Sequence, residues 1–186
     1  MTRILGISGS LRRDSLNSAA LRAAQDLAPN DMDIVLADLS QIPLYDQDLF
    51  DQKIPVAVEH LSRQIAEADG LLFATPEYNY SVSGVLKNAI DWVSRQKPQP
   101  FAGKPAAVMS ASMSLFGGAR AQYDLRRILI SMDVHFLNKP EVMIAQAHER
   151  FDRDGQLTHE STRDFVGQLL MALNDWTGRI QAGQQR

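Results

Sequence analysis

The stretch "RILGISGSLRRDSLN", residues 3–17, carries the fold in miniature. Residues 3–8 are a short apolar run ending in glycine and serine, the pattern of a strand buried on both faces of a parallel sheet. From Leu16 the apolar positions Leu16, Ala20, Ala24 and Leu27 recur at helical spacing until Pro29 and Asn30 close the segment. Between strand and helix lies a loop with little bulk and many donors: residues 6–17 hold two glycines, four serine or asparagine side chains and two arginines. Such a loop offers free backbone N–H groups, hydroxyls and the positive end of a helix dipole, which together suit a phosphate. Ser10, Ser15 and Asn17 are the expected donors, with Arg12 adding a charge-assisted bond. A plain capped turn is the alternative, since Ser and Asn are common N-caps.

Two familiar phosphate motifs are missing. A Walker A loop needs Gly-Lys-Ser/Thr after four residues, and neither Gly6 nor Gly9 is followed by that lysine. The dinucleotide fingerprint G-x-G-x-x-G fails because position 8 is serine and the third glycine never comes. The loop therefore suits a terminal monophosphate.

Outward from this stretch, strands are expected at 33–39, 71–75, 106–111 and 140–145. Residues 40–54 combine a proline with three acidic residues and no clean period, and read as a long loop. Helices are expected after Pro55 on Ala57, Leu61, Ile65 and Ala68, and after a Ser83 N-cap on Leu86, Ala89, Ile90 and Val93. Two more fall on Leu125, Ile128, Leu129 and Met132, and on Phe165, Leu169, Leu173 and Trp176. Strands alternating with helices imply an α/β fold: an open parallel sheet with helices on both faces and right-handed crossovers. The 186 residues suit one domain, 1–178, with a polar and frayed tail over 179–186.

Composition narrows the function. Hydrophobic residues make up 45% and charged residues 22%, ordinary values for a globular protein. A net charge of −3 argues against nucleic acid as a partner. With no cysteine, redox chemistry must come from a bound cofactor. The N-terminus lacks a signal-peptide pattern and no apolar run approaches about 20 residues, so a cytoplasmic protein with no membrane partner is expected. The four histidines show no ligand spacing, and the acidic residues of "DQDLFD" read as a solvated loop, so no metal is expected. Methionines 109, 113, 132, 143 and 171 read as core filler.

Ligands of open α/β sheets bind beyond the carboxyl ends of the strands. Besides residues 8–17, two segments fall at that edge. "TPEYNYSVSG" (75–84) brings Tyr78 and Tyr80, which serve either as walls for a planar heterocycle or as cover for the sheet edge or a subunit interface. "SASMSLFGG" (110–118) brings Gly117 and Gly118, which either let backbone approach a ligand or merely start a helix.

"GISGSLRRDSLN", "ADGLLFATPEYNYSVSGVLKNAIDW" and "FGGARAQYDLRRIL", in this order and spacing, resemble the NADPH-dependent FMN reductase family, most closely its bacterial quinone and chromate reductase branch. The resemblance covers about residues 3–176. It implies a flavodoxin-like three-layer sandwich, a five-stranded parallel sheet of order 2-1-3-4-5, and non-covalent FMN. By the family pattern the phosphate rests on Ser10, Arg12, Ser15, Leu16 and Asn17, the last two through backbone amides. Pro76, Glu77, Tyr78 and Asn79 line the isoalloxazine, and Ser110 sits under the third loop. Lys87, Asn88 and Trp92 read as structural. Arg120, Tyr123 and residues 40–54 are candidates for interface or pocket walls. Close relatives often carry Pro-Gly where this chain has Met113 and Ser114.

The implied activity is an FMN-dependent NAD(P)H oxidoreductase. Electrons pass from NADPH or NADH through the flavin to quinones, free flavins, azo compounds or chromate by a ping-pong mechanism, in a homodimer or homotetramer. No catalytic side chain is assigned, and Glu77 reads as scaffold, because the flavin carries the chemistry. A flavodoxin-type carrier that needs a separate reductase is the alternative, although such carriers tend to be more acidic than −3. A response regulator would need acidic residues where strand one ends in serines.

Overall fold

The computed structural model describes residues 1–184. In chain order the elements are β1 (Thr2–Ser8), α1 (Leu16–Leu27), β2 (Met32–Leu36), α2 (Gln47–Gln52), α3 (Val56–Glu67), β3 (Gly70–Ala74), α4 (Gly84–Ser94), β4 (Pro105–Ala111), α5 (Ala119–Leu129), β5 (His135–Phe136), β6 (Val142–Ile144) and α6 (Glu160–Gln184). Every strand pairing is parallel, in the order β2-β1-β3-β4-β5. This is the flavodoxin-like arrangement with helices on both faces. β3 and β4 are buried along their whole length, which explains their unbroken apolar sequences.

Strand alternation sorts the core into two layers. Ile4, Leu72, Ala107 and Met109 face α1 and α6, against Ala20, Leu21, Leu170 and Leu173. Leu5, Ile7, Leu71, Phe73 and Val108 face α3, α4 and α5, against Leu61, Ile65, Leu86, Ile90 and Leu125. The expected Ser83 cap is present, its Oγ accepting from the Leu86 N–H at 3.2 Å.

Several expectations need correction. The fifth sheet position is shared by two short strands: β5 pairs with the start of β4 at Pro105 and Ala106, and β6 with its end from Met109 to Ala111. Pro140, which has no N–H to give the ladder, lies between them. Residues 40–54 are not all loop, because Asp46 caps α2 by accepting from the Asp48 N–H at 2.9 Å. In α6 the expected Leu169 and Leu173 are buried, but Phe165 is 52% exposed and Val166 takes the buried position in its place. Residues 179–184 continue α6 instead of fraying, since Gln181 donates to Asp69 at 2.8 Å and Gln184 to the Gly103 carbonyl at 2.9 Å. Residues 185 and 186 of the expected tail lie outside the described residues. Met109 and Met132 are buried, whereas Met113 and Met171 are more than 60% exposed and fill no core.

Candidate functional site

Three loops converge beyond the carboxyl ends of β1, β3 and β4. The first docks on the second through Gly9, whose N–H donates to the Ala74 carbonyl at 2.9 Å and whose carbonyl accepts from Ser83 Oγ at 2.5 Å. A Cβ at Gly9 would lie 2.8 Å from Pro76, so only glycine permits this approach. Ser15 is the N-cap of α1, its Oγ accepting from the Ser18 N–H at 3.2 Å. The first N–H groups of the helix, those of Leu16 and Asn17, have no intrahelical acceptor, and the first turn carries no acidic residue to occupy them. Ser10 Oγ accepts from the Arg12 N–H at 3.3 Å, and Arg12 itself is exposed.

The Asn17 side chain does not face a ligand. Its amide bridges α1 to the end of β4, donating to the Ala111 carbonyl and accepting from the Ala111 N–H, both at 2.9 Å. Its backbone N–H, at the helix N-terminus, is left for the cleft.

In the second loop Tyr78 and Ser81 exchange backbone hydrogen bonds around Asn79 and Tyr80, which both adopt left-handed backbone at φ 49° and 70°. That conformation is unusual for a bulky residue. It turns both Tyr78 and Tyr80 outward, at 51% and 70% exposure, with no sheet edge to cover. Glu77 is held by Arg120, whose Nη1 donates to Oε1 at 2.6 Å and whose backbone N–H donates to Oε2 at 3.0 Å. The Arg120 guanidinium also stacks on Tyr80 and Phe116, 4.1 and 4.3 Å from the ring centroids.

The third loop turns on Gly118, the α5 N-cap at φ 87°, where a Cβ would lie 2.7 Å from Ser110 Cβ. Ser110 is wholly buried and its hydroxyl is engaged twice, donating to the Gly117 carbonyl at 2.5 Å and accepting from Gln122 Nε2 at 2.7 Å. It supports the loop from beneath.

One cleft of about 240 Å³ gathers eight of the ten expected residues: Ser10, Arg12, Ser15, Leu16 and Asn17 from the first loop, and Pro76, Glu77 and Tyr78 from the second. Ala111, Ser112 and Met113 close its third side. Asn79, in the turn, and Ser110, under the loop, do not line it. Segment 110–118 is expected at this edge and Arg120 as an interface or pocket wall, but the pairing of Arg120 with Glu77 carries no local signature, because folding brings the two together across 43 positions. Asn88 and Trp92 prove structural, both donating to the Pro43 carbonyl, at 2.7 and 2.8 Å. Among the described residues no three His, Cys, Asp or Glu side chains gather as a metal site, and no helix is long and apolar enough to cross a membrane.

The donor set fits FMN. Free helix N–H groups, Ser10 and Arg12 at one end suit its phosphate, and an aromatic and backbone-rich loop alongside suits a flat polar ring. A larger groove of about 290 Å³ between β6 and α6 lacks all three loops.

A family model described as NADPH-dependent FMN reductase matches residues 2–149. The chain is 56% identical over 179 residues to an NAD(P)H-dependent FMN reductase of Pseudomonas aeruginosa, covering 96% of this chain and 97% of the relative. It is 41% identical over 182 residues to a quinone reductase of Escherichia coli K12, covering 96% and 97%. Among solved structures, a flavoenzyme NAD(P)H:(acceptor) oxidoreductase of Paracoccus denitrificans is similar with a TM-score of 0.88 and 36% identity over 96% of this chain and 98% of that one.

Proposed function

The chain belongs to the NADPH-dependent FMN reductase family, and on that premise we propose that the three-loop cleft holds non-covalent FMN and reduces small-molecule acceptors at the expense of NADPH or NADH. The observation that carries the reading is the convergence of the first and second loops on one cleft whose anion-binding end is the N-terminus of α1. Bound FMN supplies the redox chemistry, taking two electrons from the nicotinamide nucleotide and passing them to the acceptor.

The residues bind and orient. The N–H groups of Leu16 and Asn17, with Ser10 and Arg12, hold the phosphate, and Ser15 keeps those N–H groups in place as the cap. Pro76, Glu77 and Tyr78 present backbone groups to the ring, Asn79 shapes the turn that carries them, and Ser110 fixes the loop across from them. The Arg120 clamp consumes both oxygens of Glu77, which leaves no free carboxylate in the cleft for acid–base work.

Quinones are the first acceptors to try, because relatives of this chain carry that name; free flavins, azo compounds and chromate belong to the same proposal. Donor and acceptor use one open cleft in turn, so the kinetics are ping-pong. A second copy of the chain covers the exposed Tyr80, Leu115, Phe116 and Tyr123 beside the cleft, making a homodimer or homotetramer. The cytoplasm, where reduced nicotinamide nucleotides are made, is its place of action.

The test is spectral. Purified protein should be yellow or take up FMN, and should bleach when NADPH is added without air. Failure to bind FMN overturns the reading. Binding without bleaching by either nucleotide marks a carrier that needs a separate reductase. Arg12→Ala should weaken FMN binding by about 1.5–3 kcal/mol, the worth of a hydrogen bond to a charged group.

A further inference from the structure

We propose that the arginine-lined recess between α1 and the turn at 151–157 binds the phosphate-bearing adenosine half of the donor nucleotide, with Arg22 and Arg153 recognising the 2′-phosphate that distinguishes NADPH from NADH. The proposal rests on reading the neighbouring cleft as the flavin site.

The recess has a volume of about 390 Å³, within the range of about 300–1,000 Å³ typical of small-molecule sites. It adjoins the cleft, because Arg12, Ser15, Leu16 and Met113 line both. A nucleotide in the recess therefore lies beside the flavin pocket.

Four arginines line this space: Arg12, which the flavin phosphate engages, and Arg13 from the first loop, Arg22 from α1 and Arg153 from the turn. All four residues are exposed. Among the described residues none of them has a carboxylate within ion-pair distance, unlike Arg3, Arg120 and Arg127. Unpaired guanidinium groups converging on a recess suit phosphate oxygens, which they bind bidentately. Asp14, Asp152 and Asp154 also border the space, as does His148. Carboxylates among arginines suit a nucleotide, whose ribose hydroxyls need acceptors where its phosphates need donors.

The turn is built to hold Arg153 in place. Phe151 and Leu157 pair as an antiparallel bridge and are both buried. Asp152 Oδ1 accepts from the N–H groups of Asp154 and Gln156, at 2.9 and 2.8 Å. The turn rests on α1 at Gly155, where a Cβ would lie 3.5 Å from Arg22 Nη2 and 3.9 Å from Ala19 Cβ. Arg22 and Arg153 are thus brought to one recess from positions far apart in the chain. The turn lies outside the matched segment 2–149.

Calorimetric titration with 2′,5′-ADP and with ADP tests the assignment. The FMN-loaded wild type should bind 2′,5′-ADP more tightly than ADP. The double variant Arg22→Ala and Arg153→Ala should lose about tenfold or more in 2′,5′-ADP affinity, with a smaller change for ADP. Arg153→Glu should be worse still, and the ratio of KM for NADPH to KM for NADH should rise in parallel. FMN content reports that each variant has folded. Equal affinity of the wild type for the two probes, or a 2′,5′-ADP affinity insensitive to the variants, overturns the proposal. Should the wild type fail to take up FMN, the functional reading falls, and the same titration on the flavin-free chain still decides this one.

Discussion

Arg120 grips Glu77 with two parts of itself: the guanidinium donates to one carboxylate oxygen at 2.6 Å and the backbone N–H donates to the other at 3.0 Å. The contact ties the α5 N-terminus to the second loop, and the guanidinium is packed between Tyr80 and Phe116. The Glu77 side chain is only 11% exposed, so its carboxylate takes its hydrogen bonds from this partner.

Arg120→Met should therefore cost about 1–3 kcal/mol, the penalty of a mostly buried acceptor left without its donor. Adding Glu77→Gln should restore part of that loss by removing the unpaired charge. Urea unfolding of the two single variants and the double variant checks this. A double variant no more stable than Arg120→Met would refute it.

Asn17 is the second joint. Asn17→Ala should orphan both the N–H and the carbonyl of Ala111 at a buried position, costing about 2–6 kcal/mol at roughly 1–3 for each group. The loss should appear in thermal unfolding of the flavin-free protein, which separates it from any loss of FMN binding.

Gly118 and Gly84 make a contrasting pair. Gly118→Ala places a side chain on left-handed backbone 2.7 Å from Ser110, and should cost about 2 kcal/mol or more while loosening the third loop. Gly84→Ala, in the first turn of α4 with nothing within 4 Å, should be neutral or stabilising by up to about 1 kcal/mol. Differential scanning calorimetry of both variants reads the difference.

Tyr123 and Glu141 should leave a mark on the pH dependence. Hydrogen bonds from Lys139 and Tyr123 lower the Glu141 pKa below 4.5, and the Glu141 carboxylate raises the Tyr123 pKa above 10.0. For a depressed carboxylate the stabilisation is present above 4.5 and lost as pH falls through the folded value. For a raised phenol it is present below 10.0 and lost as pH rises through the folded value. The contribution is thus level between about pH 4.5 and 10 and fades on both sides. Tyr123→Phe should remove the alkaline fade and weaken the acid one. Because both groups lie near solvent, added salt should shrink the difference. Chemical unfolding at a series of pH values follows it.

Much of the site was legible because its signals are local. A serine-rich loop before a helix N-terminus announces an anion site, since the free N–H groups and the cap belong to neighbouring residues such as Ser15 and Leu16. The roles within that loop were less legible. Asn17 looks like a ligand donor, yet its side chain is spent on Ala111. That partner lies 94 positions along the chain, and only folding reveals that the polar group is already satisfied.

The sequence by itself determined the layers and the strand order's family: alternating apolar runs, buried on both faces, allow little but a parallel sheet between two helical layers. Tertiary structure alone decided how the edge of that sheet is shared between β5 and β6, and that the polar end of α6 stays helical because Asp69 and Gly103 receive its glutamines. It also decided that Arg120 clamps Glu77 and that Arg153 and Arg22 line one recess. Periodicity is written in neighbouring residues, whereas these contacts join residues separated by tens to more than a hundred positions and exist only once the core has brought their elements together.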